Sequence, residues 1–276
     1  MFLDKNGNLE LASAANVSIF DYGFYYGFSV YETCFIKDSK AVFLKDHFKR
    51  LQFSLDHFSI PTDSNFYFNL EERIQKIISK NEIVLGRLRI IVSAGDISSG
   101  FGKNITSILL TEKILKEPES VSLTVTNIKK VYPAVFPPST KLSSNIASLL
   151  SIIEAKKSGF DEGIMLTHNG IITEGSYCNL FWLKKNILFT PSLDSSILSG
   201  ITRDKIIQAA KENSIEVREG IYTLNDLLSA EKVFISSSTR GLLRVNKLDN
   251  LEYENILPEI IEKIQLTYQK YLKDSL

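Results

Sequence analysis

Apolar residues recur with two different periods along the chain, and the change from one to the other marks out its elements. Spacings of three and four predict a helix where Phe48, Leu51, Leu55 and Phe58 form a stripe. They predict a second helix after Asp63, with Phe66, Leu70, Ile74 and Ile77 or Ile78 inward, and a third with Ile146, Leu149, Leu150 and Ile153 at i, i+3, i+4 and i+7. Gly159 is placed to cap that third helix. A fourth runs from residues 199–202 to about Asn213, and an amphipathic helix from about Pro258 closes the chain, with Ile260, Ile261, Ile264 and Leu272 as inward positions. Period two, or short apolar runs between turn signals, predicts strands at 87–93, 105–111, 121–128, 163–167, 171–174, 180–183 and 187–190, and one starting at Lys232. Asn6-Gly7, His168-Asn169-Gly170 and Lys184-Lys185-Asn186 read as hairpin turns.

This alternation of strands and helices describes a mixed α/β chain. Tyr132 to Ser139 is its most proline-rich stretch and can continue neither kind of element. The boundary is therefore expected between Glu117 and Val131, giving a small α/β domain over 1–120, a linker over 121–131 and a larger α/β domain over 132–276. The chain's 276 residues, 44% apolar and 23% charged, suit a soluble globular protein of this kind.

Charge removes several functions from consideration. Lys plus Arg and Asp plus Glu both number 32, so nothing favours nucleic acid or an anionic membrane as a partner. The start, Met1-Phe-Leu-Asp-Lys-Asn-Gly, has charge where a secretory signal needs an apolar run, and no stretch reaches transmembrane length, so a cytoplasmic protein is expected. Cys34 and Cys178 are too few for a disulfide framework and read as buried thiols. His47, His57 and His168 lack metal-ligand spacing, and no metal is expected. The glycines from Gly95 to Gly102 open no helix and make no dinucleotide fingerprint.

Candidate chemistry is spread along the chain. Tyr31 and Thr33 share strand parity and face one side, as do Arg87 and Arg89. His47, Arg50 and Ser54, at i, i+3 and i+7, share a helix face, for which by itself a solvated surface is the favoured reading. The helix start at Gly200-Ile201-Thr202 offers free N–H groups and a positive dipole end to an anion, though a capped surface helix explains it as well. Lys141, by spacing alone, is one lysine among many.

Taken together, three motifs change that reading. Lys141-Leu-Ser-Ser-Asn145, then Thr173-Glu174-Gly-Ser-Tyr-Cys-Asn179-Leu-Phe181 and Leu198-Ser-Gly-Ile-Thr-Arg203 resemble the class IV aminotransferase family in sequence and in order, and the resemblance spans almost the whole chain. It implies the two-domain, D-amino acid aminotransferase-like fold, an α/β (α+β) fold called type IV among pyridoxal phosphate enzymes, with that cofactor at the domain interface. It implies that Lys141 carries the cofactor as a Schiff base and, once displaced by a substrate amine, moves a proton. Glu174 would keep the ring nitrogen protonated. The phosphate would fall to Arg50, in the family pattern His-x-x-Arg-Leu-x-x-Ser, and to Ile201, Thr202, Thr239 and, less directly, its neighbour Ser238. Tyr31, Arg89 and Arg240 would bind substrate, and Thr33 would help proton transfer.

Within the family the discriminating residues diverge. Ala94, where D-amino acid transaminases carry arginine, speaks against that group. The Arg89 to Gly95-Asp96 pattern and Lys141-x-x-x-Asn145 resemble branched-chain transaminases, but the tyrosine expected next is Ile146. Arg240-Gly241, the Thr33 hydroxyl and the chain length resemble 4-amino-4-deoxychorismate lyase, which releases pyruvate and leaves p-aminobenzoate for folate biosynthesis. That lyase is the activity expected. A transaminase is the alternative, and a cofactor-free binding protein on the same fold is the third reading. Family members also complete the pocket with a second subunit, so a homodimer is expected, with residues 95–103 as the segment lent.

Overall fold

The protein is seen in a computed structural model that describes residues 1–115, 118–130, 137 and 139–276. Contacts divide the chain into two units: residues 1–116 with Thr140–Ser144 and Ser275–Leu276, and residues 117–139 with Asn145–Asp274.

The first unit is built on β1 (Phe2–Lys5), β2 (Asn8–Leu11), the single-turn α1 (Tyr22–Tyr25), β3 (Ser29–Lys37), β4 (Lys40–Ala41), α2 (Leu44–His57), α3 (Phe66–Lys80), β5 (Gly86–Ser93) and β6 (Thr106–Lys113). Its six strands pair antiparallel in the order β2-β1-β6-β5-β3-β4. The β1–β2 turn takes Asn6 and Gly7 to φ of 53° and 88°, the left-handed geometry that Asn-Gly supplies at little cost. Strand alternation sorts the residues: Val30, Cys34, Leu88, Ile90 and Val92 enter one core with Leu51 and Leu55 of α2 and Leu70, Ile74, Ile77 and Ile78 of α3. Tyr31, Thr33, Arg89 and Ile91 stand at the alternate, half-buried positions. The polar residues of α2 are a surprise, because His47 and Ser54 are buried while Phe48 is only half-buried.

The second unit contains β7 (Val121–Lys129), α4 (Ile146–Lys157), β8 (Glu162–Leu166), β9 (Ile172–Gly175), β10 (Asn179–Lys184), β11 (Ile187–Pro191), α5 (Ile201–Glu212), β12 (Val217–Gly220), α6 (Leu224–Leu228), β13 (Lys232–Ser237), β14 (Gly241–Leu248), β15 (Leu251–Glu252) and α7 (Glu259–Asp274). Its mixed sheet runs β12-β11-β10-β13-β14-β7-β8-β9, with β15 paired to β14. Trp182, Phe181, Phe234 and Ile235 are fully enclosed, and Ile261, Ile264, Tyr268 and Leu272 form the buried stripe of α7, with Ile260 half-buried.

Two expectations change here. The stretch 121–131, read as a linker, contains β7, which lies parallel between β14 and β8 and buries Val121 and Leu123. The segment holding Lys141, assigned to the later domain, joins the first unit: Tyr31 N–H donates to Lys141 O at 3.0 Å, Ser143 N–H donates to Ser29 O at 2.9 Å, and Val30 bridges Leu142. An open stretch of β3 backbone recruits it, since strand N–H and C=O groups need partners. The prolines that suggested the boundary, among residues 132–138, lie mostly outside the described residues.

Helix α4 lies where its periodicity predicts, but its apolar stripe faces outward: Ile146, Leu149, Leu150 and Ile153 are 62%, 45%, 43% and 41% exposed. Ser148, Ser151 and Ala155 face inward. Small residues are required there because α4 approaches β8 closely; a Cβ on Gly163 would stand 2.4 Å from Ser151 Oγ. Among the described residues no helix is long and apolar enough to cross a membrane.

Candidate active site

In the first unit, β3, β5 and the Lys141 segment bring four of the expected residues together. The Lys141 ammonium lies 4.4 Å from the Tyr31 ring centroid, and the Arg89 guanidinium carbon lies 5.5 Å from the same ring. Thr33 is opposite Arg89 in the strand register and shares the face of Tyr31. Arg89 Nε is buried with no hydrogen-bond partner among the described residues. Two cations around one aromatic ring, one with an unmatched donor, favour an anionic ligand.

Arg50 is held from behind. Its Nε and Nη2 both donate to Glu32, each at 2.7 Å, and His47 Nδ1 lies 2.7 Å from the same carboxylate. Glu32 occupies a core position of β3 and is wholly buried. Burial alone would raise its pKa, but the charge and hydrogen bonds of Arg50, with the bond from His47, bring it down to about 2. An ionised carboxylate only accepts, so His47 carries its proton on Nδ1. Burial lowers the His47 pKa against the pull of Glu32, with Arg50 and Lys141 lowering it further, which favours the neutral ring. One turn on, Ser54 Oγ–H donates to Arg50 O at 3.0 Å and accepts from Lys141 N–H at 3.3 Å. A single helix thus supports both the arginine and the lysine. A glutamate at core parity was the available signal for this network, since a buried charge demands a partner.

The second unit holds the remaining expected residues. The buried Glu174 receives Lys130 Nζ at 2.6 Å on one oxygen and Leu198 N–H at 2.8 Å on the other, with Asn179 Nδ2 at 3.4 Å. Lys130 was not foreseen from the sequence. Asn179 also donates to Leu198 O at 3.0 Å, so it ties Glu174 to the loop that opens α5. The N-cap of α5 is Gly200, which has no side chain to cap the helix, and the first intrahelical bond is Asp204 N–H to Gly200 O. The N–H groups of Ile201, Thr202 and Arg203 precede that bond, at the positive end of the helix dipole. The Thr202 hydroxyl is shared with Tyr268. Arg203 turns away and donates to Pro191 O and Glu219 at 2.8 and 2.7 Å.

Ser238 and Thr239 sit half-buried in the turn between β13 and β14. Next to them, Arg240 Nη1 lies 3.4 Å from Glu162, a buried carboxyl whose pKa burial raises despite the arginine. Cys34 and Cys178 are enclosed, and burial pushes both thiols well above their ordinary value, so neither is poised as a nucleophile.

Comparison with known proteins identifies the family. The family described as amino-transferase class IV matches residues 29–248. The branched-chain-amino-acid aminotransferase of Salmonella typhimurium is 32% identical over 90% of this chain and 84% of its own length. The aminodeoxychorismate lyase of Bacillus subtilis is also 32% identical, over 98% of this chain and 94% of its own. The crystal structure of the Escherichia coli branched-chain aminotransferase superposes with a TM-score of 0.89 at 28% identity, covering 100% of this chain and 96% of that one. The protein is an enzyme and belongs to the class IV aminotransferase family.

Proposed function

We propose that the protein is a pyridoxal 5'-phosphate enzyme and that its reaction is that of 4-amino-4-deoxychorismate lyase. The cofactor reading rests on one observation in the second unit: Leu198 N–H and Asn179 tie the Glu174 carboxylate to the loop from which the uncapped end of α5 emerges. A ring nitrogen and a phosphate ask for that pair of groups.

Bound pyridoxal phosphate supplies an aldehyde that condenses with amines and a ring that draws electrons from the adjacent bonds. Glu174, kept company by Lys130 and a backbone N–H, is a carboxylate able to hold a protonated ring nitrogen. In the second unit the N–H groups of Ile201 and Thr202, the Thr202 hydroxyl and the Ser238–Thr239 turn would hold phosphate oxygens, and Arg50 of the first unit would offer the same group its charge. Lys141 would carry the cofactor through its amine, and the same amine, once released, would hold and return a proton. Its backbone is fixed on both sides, to Tyr31 and to Ser54, so that the amine moves while its anchor does not. The orphan Nε of Arg89 meets a substrate carboxylate, Tyr31 walls the site, and Arg240 adds a second cation for substrate.

The lyase reading takes its support from Thr33, a hydroxyl on the same face of β3 as Tyr31 and therefore on the side toward which Lys141 reaches. It can pass a proton to a leaving carbon fragment. Identity to branched-chain transaminases keeps transamination as the second reading. Incubation with aminodeoxychorismate, and separately with leucine or D-alanine plus 2-oxoglutarate, separates the two. Pyruvate and p-aminobenzoate are expected; glutamate formation without them would replace the lyase by a transaminase.

A homodimer belongs to the same proposal. The outward stripe of Ile146, Leu149, Leu150 and Ile153 is the apolar surface a second copy would cover, and two-fold closure is the commonest symmetry. Sedimentation is expected to give twice the chain mass, and a fully active monomer would overturn it.

A further inference from the structure

We propose that Glu162 is a positioning residue: it holds Arg240 ready for the carboxylate that stays on the ring of the lyase substrate, an assignment that rests on the lyase reading. Glu162 opens β8, whose five residues are all buried, and is itself 1% exposed. One of its carboxyl oxygens accepts from Gly163 N–H at 3.3 Å, and the other faces Arg240 Nη1 at 3.4 Å. Arg240 starts from fixed backbone, its own N–H donating to Ser237 O at 3.2 Å and Gly241 beyond it entering β14 at φ 59°. Its guanidinium makes no other hydrogen bond or ion pair among the described residues, and the side chain is 33% exposed.

A second cation has a use because the lyase substrate carries two carboxylates. One departs in pyruvate, and the other stays on the ring that becomes p-aminobenzoate. Thr33, which serves the departing fragment in the reading above, lies opposite Arg89 in the strand register, so Arg89 matches the carboxylate that leaves. Arg240 is then the cation for the one that stays. Filling space is a poor reason for Glu162, because an aliphatic side chain would occupy the same buried place with no polar group to satisfy, and burial raises the Glu162 pKa despite the arginine. What the carboxyl adds is an acceptor for one corner of a long side chain with many rotamers, so that part of the ordering cost of Arg240 is met before substrate arrives. The tie is loose, 3.4 Å against about 2.7–2.9 Å for a charge-assisted bond, and the rest of the fork keeps its donors for an anion.

The test compares binding of p-aminobenzoate and p-aminobenzamide, alike in shape but one charged and one neutral, to the cofactor-loaded enzyme by isothermal titration calorimetry. The natural chain should prefer the anion, and Arg240→Met should lower that preference about tenfold, the loss of roughly one charge-assisted bond. Glu162→Met, of similar bulk without an acceptor, should lose preference several-fold while p-aminobenzamide binds as before, and Glu162→Gln, which keeps an acceptor oxygen, should stay close to the natural chain. In an Arg240→Met background Glu162→Met should change the preference no further. Arg240→Lys decides the matter if Glu162→Met does not fold: a point charge without the fork cannot hold Glu162 and serve the ligand at once, so preference should fall several-fold there too. Preference unchanged in the deciding variant, both probes weakened equally, or equal losses in Glu162→Met and Glu162→Gln would overturn the positioning role while leaving the lyase reading standing. So would a natural chain that binds both probes equally. A natural chain that binds neither would overturn the lyase reading and this assignment with it.

Discussion

Replacing Gly200 with alanine tests the link between the α5 helix end and Glu174 most directly. Gly200 has φ −77°, a conformation open to any residue, so backbone strain does not enter. The added Cβ would meet Asn179 Oδ1 at 2.0 Å and Arg203 Cβ at 3.3 Å. Asn179 must then retreat by about 1 Å or more to reach van der Waals separation. It is 5% exposed and pinned by bonds to Leu198 O and Glu174, so the retreat breaks both. Two buried bonds, one to a charged group, amount to about 2–3 kcal/mol. The chain's single tryptophan, Trp182, lies fully enclosed on β10, the strand that Asn179 begins, and so reports on the second unit. Urea unfolding followed by its fluorescence should show that loss in Gly200→Ala, with cofactor affinity falling alongside. In an Asn179→Ala background the same substitution should cost less than about 0.5 kcal/mol, because the obstructing side chain is gone. An equal cost in both backgrounds would refute the reasoning.

Borohydride reduction in the presence of pyridoxal phosphate should leave the label on Lys141, located by mass spectrometry; a label on any other lysine ends that assignment, and Lys141→Ala should lose turnover altogether. Glu174→Gln should keep the cofactor but slow turnover about a hundredfold or more, a loss typical of removing one preorganised charge; unchanged rates would assign the ring nitrogen to another group. Acid stability carries the signature of Glu32: its folded pKa of about 2 lies below the ordinary 4.5, so its contribution is present above pH 4.5 and lost as pH falls toward 2, about 3 kcal/mol in all. His47, also lowered, acts in the same direction below its ordinary 6.5. Denaturant unfolding by far-UV circular dichroism at pH 5 and pH 3 should show a shallower decline in Glu32→Gln, and a parallel decline would contradict the linkage.

Local order was written legibly in this sequence. Alternation in β3 and β5 sorted Tyr31, Thr33 and Arg89 from Val30 and Leu88, and the stripes of α3 and α7 were read almost residue for residue. Direction was harder. The period of α4 is plain, yet whether Ile146, Leu149, Leu150 and Ile153 face a core depends on how near Gly163 lets the helix come, which spacing does not encode. Pairings across long separations were illegible for the same reason. Lys130 meets Glu174 44 residues on, and Lys141 meets Ser54 87 residues back, and no local pattern records either. The chemistry assigned to Lys141, Glu174 and Arg50 came from motif resemblance, whereas the buried partners of Arg50 became visible only with coordinates.

The five residues Thr140–Ser144 complete the open flank of β3 although the chain reaches them only after leaving the first unit. A fragment ending near residue 115 would therefore lack a piece of its own sheet. Tyr31 N–H and Ser29 C=O would be left facing water or another chain, an invitation to strand-to-strand association. Ribosomal synthesis meets the same condition: the first unit cannot finish its sheet until at least twenty-odd further residues have been made. Attempts to graft, permute or express that unit separately should carry residues 140–144 along as a tethered strand.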